Sequence, residues 1–229
     1  MSATTTGALG WLNTEAGQVL GQHILWSDMI GNILGLVALA LGWRRSLWTW
    51  PAQLASGLVL VAAYSAAHLS GGVGKQLLVI AVAGWGWRRW RNGRTEAAGR
   101  AAGGAVAVRF ATGRERIALL AGTAAGTLAV GALFTALPQL SWNPWPDAYI
   151  FTGTLAAMVA QARGLVEFWF AWLLVDLVGV PLAFSSGLAF SGLVYVIYLA
   201  LVLWGARDWW LRSRARTAAP APVWEGALS

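Results

Sequence analysis

Apolar runs broken by short polar or arginine-rich stretches organise this chain. Seven stand out: Ser27–Trp43, Thr49–Leu69, Gly74–Trp87, Ile117–Leu137, Asp147–Ala162, Phe168–Phe184 and Leu188–Trp204. Most approach the ~20 residues that a helix needs to cross ~30 Å of hydrocarbon, so the pattern predicts seven transmembrane helices. The pattern also recurs. Trp48-Thr49-Trp50-Pro51 and then Trp85-Gly86-Trp87-Arg88-Arg89-Trp90 are answered by Trp169-Phe170-Ala171-Trp172 and then Trp204-Gly205-Ala206-Arg207-Asp208-Trp209. The offsets are 121 or 122 residues for the first block and 119 for the second. A duplicated set of hydrophobic spans with tryptophans at matching places is how many small-solute carriers are built, and it predicts a site between two repeats.

Charge sets the expected topology. Arg44 and Arg45 separate the first two spans, and Arg88, Arg89, Arg91, Arg94, Arg100, Arg109, Arg114 and Arg116 separate the third and fourth. Arg163 lies between the fifth and sixth spans, and Arg207, Arg212, Arg214 and Arg216 follow the seventh. The alternate connections hold Lys75 at most, so fifteen of the 16 basic residues fall on one face. That face is cytoplasmic by the positive-inside rule, which puts the amino terminus outside and the carboxyl terminus inside. Three spans leave the chain on the side opposite its start, and a second repeat in the same orientation then requires one extra crossing. The expected architecture is all-α, seven transmembrane helices in a 3+1+3 arrangement of two parallel three-helix repeats. Residues 1–26 form an extracellular segment, 27–87 the first repeat, 88–116 a basic cytoplasmic loop and 117–137 the linker helix. An extracellular loop at 138–146, the second repeat at 147–206 and a cytoplasmic tail at 207–229 complete the chain. Ala97–Val108 reads as a flexible loop or frayed helix, and the tail after Arg216 as unstructured. Gly122 and Gly126 carry small-xxx-small spacing, a weak signal in a chain this rich in Gly and Ala.

Composition agrees with a cell-membrane protein. Hydrophobic residues make up 58%, charged residues 11%, and the mean hydropathy is +0.60. The net charge of +7 is topological and carries no nucleic-acid footprint. With no cysteine, disulfide and thiolate chemistry are excluded. The 16 tryptophans include interface anchors as well as any site residues. Gly71-Gly72-Val73-Gly74-Lys75-Gln76 falls short of a phosphate-binding loop, with Leu69 at the leading glycine position and Gln76 at the hydroxyl position. His23 and His68 are too few for a metal site. No serine–histidine–carboxylate set is suggested, so no enzyme, metal or cofactor is expected.

The polar groups inside the spans are sparse. Asp176 lies mid-span, where a carboxylate costs ~2.5–3.5 kcal/mol on insertion scales and faces either a cavity or a partner helix. Trp169, Trp172 and Asp176 share one helical face, and Trp50 and Gln53 are the matching pair in the first repeat. Asn32, Gln76, Tyr64, Asp147, Tyr195 and Tyr198 are the other polar groups in or near the spans. A cavity lined by Asn32, Trp50, Gln76, Trp169, Trp172, Asp176, Tyr195 and Tyr198 would suit a flat aromatic solute bearing hydroxyls, stacked on indoles. A tryptophan belt with a buried polar clasp is the alternative.

At these residues the chain resembles the PnuC family of vitamin transporters. The resemblance runs from Asn32-Ile33-Leu34-Gly35 through Trp50-Pro51 and Gly74-Lys75-Gln76 to Trp85-Gly86-Trp87. It continues through Asp147-Ala148, Arg163-Gly164, Glu167-Phe168-Trp169, Trp172, Asp176, Gly179-Val180-Pro181, Tyr195, Tyr198 and Trp204-Gly205, covering roughly residues 24 to 210. Within the family, Trp145-Pro146-Asp147-Ala148-Tyr149-Ile150-Phe151 and Val175-Asp176-Leu177-Val178-Gly179-Val180-Pro181 are most similar to the riboflavin branch. The resemblance implies a fold like that of the SWEET sugar carriers and facilitated diffusion of riboflavin. Nicotinamide riboside, the solute of PnuC itself, is the alternative within the family. Net uptake would follow from phosphorylation inside the cell. Pro51 and Pro181 are candidate kinks for alternating access. The expected partners are the solute and the bilayer, and a homo-oligomer is left open.

Overall fold

The computed structural model describes residues 10–19, 22–66, 70–97, 106–141, 143–185 and 189–218. Among these, seven α-helices follow a short amino-terminal hairpin: α1 Trp26–Trp43, α2 Thr49–Ala66, α3 Ser70–Ala97, α4 Gly113–Ala136, α5 Pro144–Ala162, α6 Glu167–Ser185 and α7 Ala189–Ala218. The hairpin pairs β1 (Glu15–Val19) antiparallel with β2 (Gln22–Leu25), an element the apolar pattern did not predict because its strands are short and polar. Consecutive helices pack side by side, with the exception of α3 and α4. Beyond sequence neighbours, α3 lies against α5 and α1 against α7.

Every predicted span lies within or largely overlaps one helix, and two helices run well beyond theirs. Helix α3 continues through Arg88, Arg89 and Arg91 to Ala97, and α7 continues to Ala218. Arginines are good helix formers, and their long stems let the charge reach water while the backbone bonding continues. The basic segment between α3 and α4 is described from Val106 onward, and there it is docked, with Val108 and Ala111 buried. Helix α4 begins at a capping box in which Thr112 accepts from the Glu115 amide and Glu115 accepts from the Thr112 amide. His68, the side chain of Tyr64 and the tail beyond Ala218 lie outside the described residues.

Among the described residues two helices, Gly113–Ala136 and Leu193–Arg214 within α7, are long and apolar enough to cross a membrane by length and composition. Helix α4 leans on α5 through a hydrogen bond between Thr127 and Thr152 (2.7 Å). Its remaining surface carries exposed Ile117, Leu120, Leu128 and Leu133, a face suited to lipid. Gly126 approaches Thr152, whereas Gly122 faces open space, so the small-residue spacing does not make a two-glycine contact.

The internal repeat is written into the backbone in a single register of 119 residues. In the α1–α2 turn the amides of Arg44, Arg45, Ser46, Thr49 and Trp50 bond the carbonyls of Ala40, Gly42, Leu41, Ser46 and Leu47. In the α5–α6 turn the amides of Arg163, Gly164, Leu165, Phe168 and Trp169 bond Val159, Gln161, Ala160, Leu165 and Val166, each partner 119 positions on. Arg45 (φ 54°) and Gly164 (φ 68°) both take the left-handed conformation. The first tryptophan block therefore aligns Trp50 with Trp169, not Trp48 with Trp169. Trp48, 71% exposed, is an ordinary surface indole, and counting it produced the offset of 121. Pro51 lies in the first turn of α2, where the chain has no internal hydrogen bond to lose, so it is not a kink. Pro181 lies inside α6.

Candidate functional site

The repeat also governs where the tryptophans sit. Trp50, at the start of α2, lays its six-membered edge on Gly86 of α3, and Trp169, at the start of α6, does the same on Gly205 of α7. A Cβ at either glycine would overlap the indole, so only glycine admits so close an approach. Four residues further along, Trp90 meets Trp50 edge-on (5.3 Å, 89°) and Trp209 meets Trp169 edge-on (5.8 Å, 85°). The outer pair then reaches across the molecule. Trp90 Nε1 donates to the Ala162 carbonyl at the end of α5 (3.2 Å), and Trp209 Nε1 donates to the Trp43 carbonyl at the end of α1 (3.0 Å). Ala162 and Trp43 are themselves 119 residues apart. Trp50 and Trp90 pack with Met158 and Ala162 of α5, and Trp169 and Trp209 with Leu39 of α1.

This clasp sits at the end of the bundle where the arginines gather. Trp43 Nε1 donates to Asp208 (3.1 Å), which also accepts from Arg212 (2.8 Å). The Val106–Ala111 segment is held by backbone bonds from Arg109 to Gly164 and from Val166 to Arg109, both 3.0 Å. The Ala111 amide donates to Glu167 (2.9 Å), and Arg116 pairs with Glu167. Arg109 pairs with Glu115 through two 2.7 Å bonds. The Arg109 guanidinium, followed by the Thr112 amide, holds the Glu115 carboxyl well below the usual carboxylate range.

The expected site residues fall into two groups. Trp50 and Trp169 are buried in the clasp, their rings packed against Gly86 with Trp90 and against Gly205 with Trp209, so in this conformation those faces are occupied. Trp172 is half-buried and Asp176 fully buried along α6 from Trp169. The Tyr198 hydroxyl donates to the Asn32 carbonyl (3.2 Å) and lies on Gly35, joining α7 to α1. The Tyr195 ring packs on Gly179 of α6, and Gln76 lies beside Gly57 of α2. Under the 119-residue register Gly57 corresponds to Asp176 and Gln76 to Tyr195, so the two halves present unlike groups at like places.

Among the described residues four buried side-chain polar atoms have no hydrogen-bond partner: Nε1 of Trp50, Trp169 and Trp172, and Oδ2 of Asp176. All belong to α2 and α6, the middle helices of the two halves, and three lie on α6 alone. An unpaired buried donor or acceptor costs ~1–3 kcal/mol, so such a set is a standing capacity to bind a polar partner. Gly86, Gly205, Trp90 and Trp209 belong to the recurring blocks but were not among the expected site residues. Their signal was present in the recurring Trp-Gly blocks, but a glycine notch is visible only when the indole that fills it is known. Among the described residues no group of three His, Asp or Glu side chains could hold a metal ion.

Comparison with known proteins bears on the same stretch. Residues 25–211 match the family described as nicotinamide mononucleotide transporter. Over 219 residues the chain is 64% identical to the riboflavin/roseoflavin transporter RibM of Streptomyces davaonensis, an alignment covering 96% of this chain and 99% of that one. The crystal structure of the vitamin B3 transporter PnuC superposes with a TM-score of 0.65 at 20% identity, over 83% of each chain, a likeness of fold alone. The family match takes in both tryptophan clasps and every helix from α1 to most of α7, and the chain belongs to the nicotinamide mononucleotide transporter family, the PnuC-type helical membrane transporters.

Proposed function

We propose that this protein carries riboflavin across the cytoplasmic membrane by energy-independent facilitated diffusion, acting as a carrier and not as an enzyme. The observation that carries the reading is the 64% identity, over nearly the whole of both chains, to a transporter named for riboflavin and roseoflavin. The likeness that would favour nicotinamide riboside is one of fold at 20% identity and does not reach the solute. The unpaired indole N–H groups of Trp50, Trp169 and Trp172 and the Asp176 carboxylate support it, since a flavin offers carbonyl acceptors on its ring and hydroxyls on its side chain. Asn32, Gln76, Tyr195 and Tyr198 complete the proposed lining.

In this reading the helices form the 3+1+3, SWEET-like arrangement, with α1–α3 and α5–α7 as parallel repeats and α4 as linker. The recurring turns and the reciprocal Trp90 and Trp209 bonds support it. The amino terminus is outside and the carboxyl terminus cytoplasmic, so the clasp closes the cytoplasmic end. Alternating access is the rocking of the two halves about the site. Asp176 is the one carboxylate deep in the spans, which leaves an ion-coupling relay little to work with. Net import follows from intracellular phosphorylation, because the charged product cannot recross.

Vesicles containing this protein alone test the reading. Riboflavin should equilibrate without ATP or an ion gradient, and accumulation above the outside concentration under an imposed proton or sodium gradient would overturn the facilitator. Passage of nicotinamide riboside without riboflavin would overturn the solute. Trp172→Ala should weaken riboflavin affinity roughly 5- to 150-fold, the equivalent of ~1–3 kcal/mol for a stacked ring. Asp176→Asn should weaken it too, by loss of a charge-assisted bond. Unchanged affinity in both variants, at normal amounts in the membrane, would remove this face as the site. Terminal tags should be reachable from opposite sides.

A further inference from the structure

A groove of about 590 Å³ lies between α2 and α3, on a face the carrier reading does not use. Its floor is Leu54 of α2 with Ile80 and Gly84 of α3, and a Cβ built at Gly84 meets nothing within 4 Å. Exposed Trp85 and Trp87 flank it, and Arg88 and Arg91 line its end. Ile80, Gly84, Arg88 and Arg91 recur at helical spacing, so one stripe of α3 passes from apolar to cationic within ~16 Å. Among the described residues no carboxylate lines the groove.

The second half shows that the groove is not a by-product of the fold. At the 119-residue register Trp85 and Arg88 are matched by Trp204 and Arg207, but Gly84 becomes Leu203, Trp87 becomes Ala206 and Arg91 becomes Trp210. Trp210 is covered edge-on by Phe110 and Phe170, at 6.0 and 6.2 Å. Trp204 stacks on Trp43 (5.9 Å, 30°), whereas Trp85 would find Ala162 in that place. The corresponding surface of α7 thus keeps one guanidinium, Arg207, but places a leucine and an indole where α3 has Gly84 and Arg91, so only α3 combines the bare glycine with two guanidinium groups.

We propose that this groove binds an anionic phospholipid of the leaflet at the arginine-rich end, with its phosphate at Arg88 and Arg91 and an acyl chain laid over Gly84. Guanidinium groups pair with phosphate oxygens in a planar fork, and indoles settle at headgroup depth. Basic pockets between membrane helices are the usual place for such headgroups. The lipid occupies an outer face, so the proposal stands apart from the identity of the carried solute.

The full-length protein, purified in detergent, would be titrated with phosphatidylglycerol and phosphatidylcholine of identical acyl chains, and retained lipid counted by native mass spectrometry. Phosphatidylglycerol should be retained about 10-fold or more in preference, as two interfacial arginines imply. Arg88→Gln with Arg91→Gln should erase that preference. Gly84→Leu, which copies the second half, should lower retention of both lipids, and Ala81→Leu, in the same lining, serves if that variant does not fold. Glycerol phosphate, a headgroup without chains, should not displace the lipid. Equal retention of the two lipids, full retention in the folded groove-filling variant, or displacement by glycerol phosphate would each overturn the proposal.

Discussion

A methyl group added at Gly86 or Gly205 would meet the six-membered edge of Trp50 or Trp169 well inside van der Waals contact, and neither indole has room to retreat. Overpacking of this kind costs ~1–3 kcal/mol, so Gly86→Ala and Gly205→Ala should each lower the melting temperature of the purified protein, by similar amounts because the two sites are built alike. Gly93→Ala is the control: it lies in the same helix as Gly86 with nothing within 4 Å, and alanine there should be neutral or stabilising by up to ~1 kcal/mol. A loss at Gly93 equal to that at Gly86 would show that helix flexibility, not the indole notch, is being read. At this scale sequence conveyed residue type better than role. Asp176 stood out as a carboxylate in an apolar run, and it is buried with an unpaired oxygen. Trp50 and Trp169 stood out as stacking faces, yet their rings are packed. What separates Trp169 from Trp172 is a glycine on another helix, a contact 36 residues distant that no local pattern encodes.

Helices were legible because an apolar run must close its own backbone hydrogen bonds in lipid. Their ends were less so, since arginines carry α3 and α7 into water without a break, and the Val106–Ala111 strap has no periodicity to betray its docking. The turns between α1 and α2 and between α5 and α6 show how two sequences reach one shape. Arg45 tolerates a left-handed backbone that costs a non-glycine residue ~1–2 kcal/mol, and Gly164 adopts it freely. Gly164→Ala adds that strain and drives a Cβ to 2.6 Å from the Ala107 carbonyl oxygen, so it should destabilise by roughly 2–4 kcal/mol and loosen the strap. Arg45→Ala, already at positive φ and free of that second clash, should change stability by less than ~1 kcal/mol. Amide exchange at Arg109 and Val166 separates the two, rising only in the Gly164 variant. The same amides report on Glu115. Its carboxyl is held below the usual range, so its contribution to the folded state is complete above the unfolded value of ~4.3 and is lost as pH falls further. Protection of Arg109 should therefore be flat from pH 7 to 5 and decline below ~4.3, and in Glu115→Gln it should be low throughout. Decline already between pH 7 and 5 would mean another group holds the strap.

At the scale of the molecule α1–α3 and α5–α7 are joined reciprocally: Trp90 of α3 donates to the last carbonyl of α5, and Trp209 of α7 to the last carbonyl of α1. Opening this end by moving one half against the other must break both bonds together, since neither half can leave while either bond holds. Each bond is worth ~1 kcal/mol net, about a 5-fold factor in an opening equilibrium. The chain has no cysteine, so a single reporter at Met158→Cys, buried beside the Trp50 and Trp90 pair, reads opening without interference. Trp90→Phe keeps an aromatic ring but removes the donor together with the pyrrole half of the indole, and should raise maleimide labelling by roughly 5-fold or more. Trp209→Phe lies in the other cluster, yet should raise labelling of the same reporter by a similar factor. The double variant should reach the product, roughly 25-fold or more, because one opening relieves both bonds. A reporter that responds to Trp90→Phe and ignores Trp209→Phe would show local loosening around one indole, and the two halves would then not move as units.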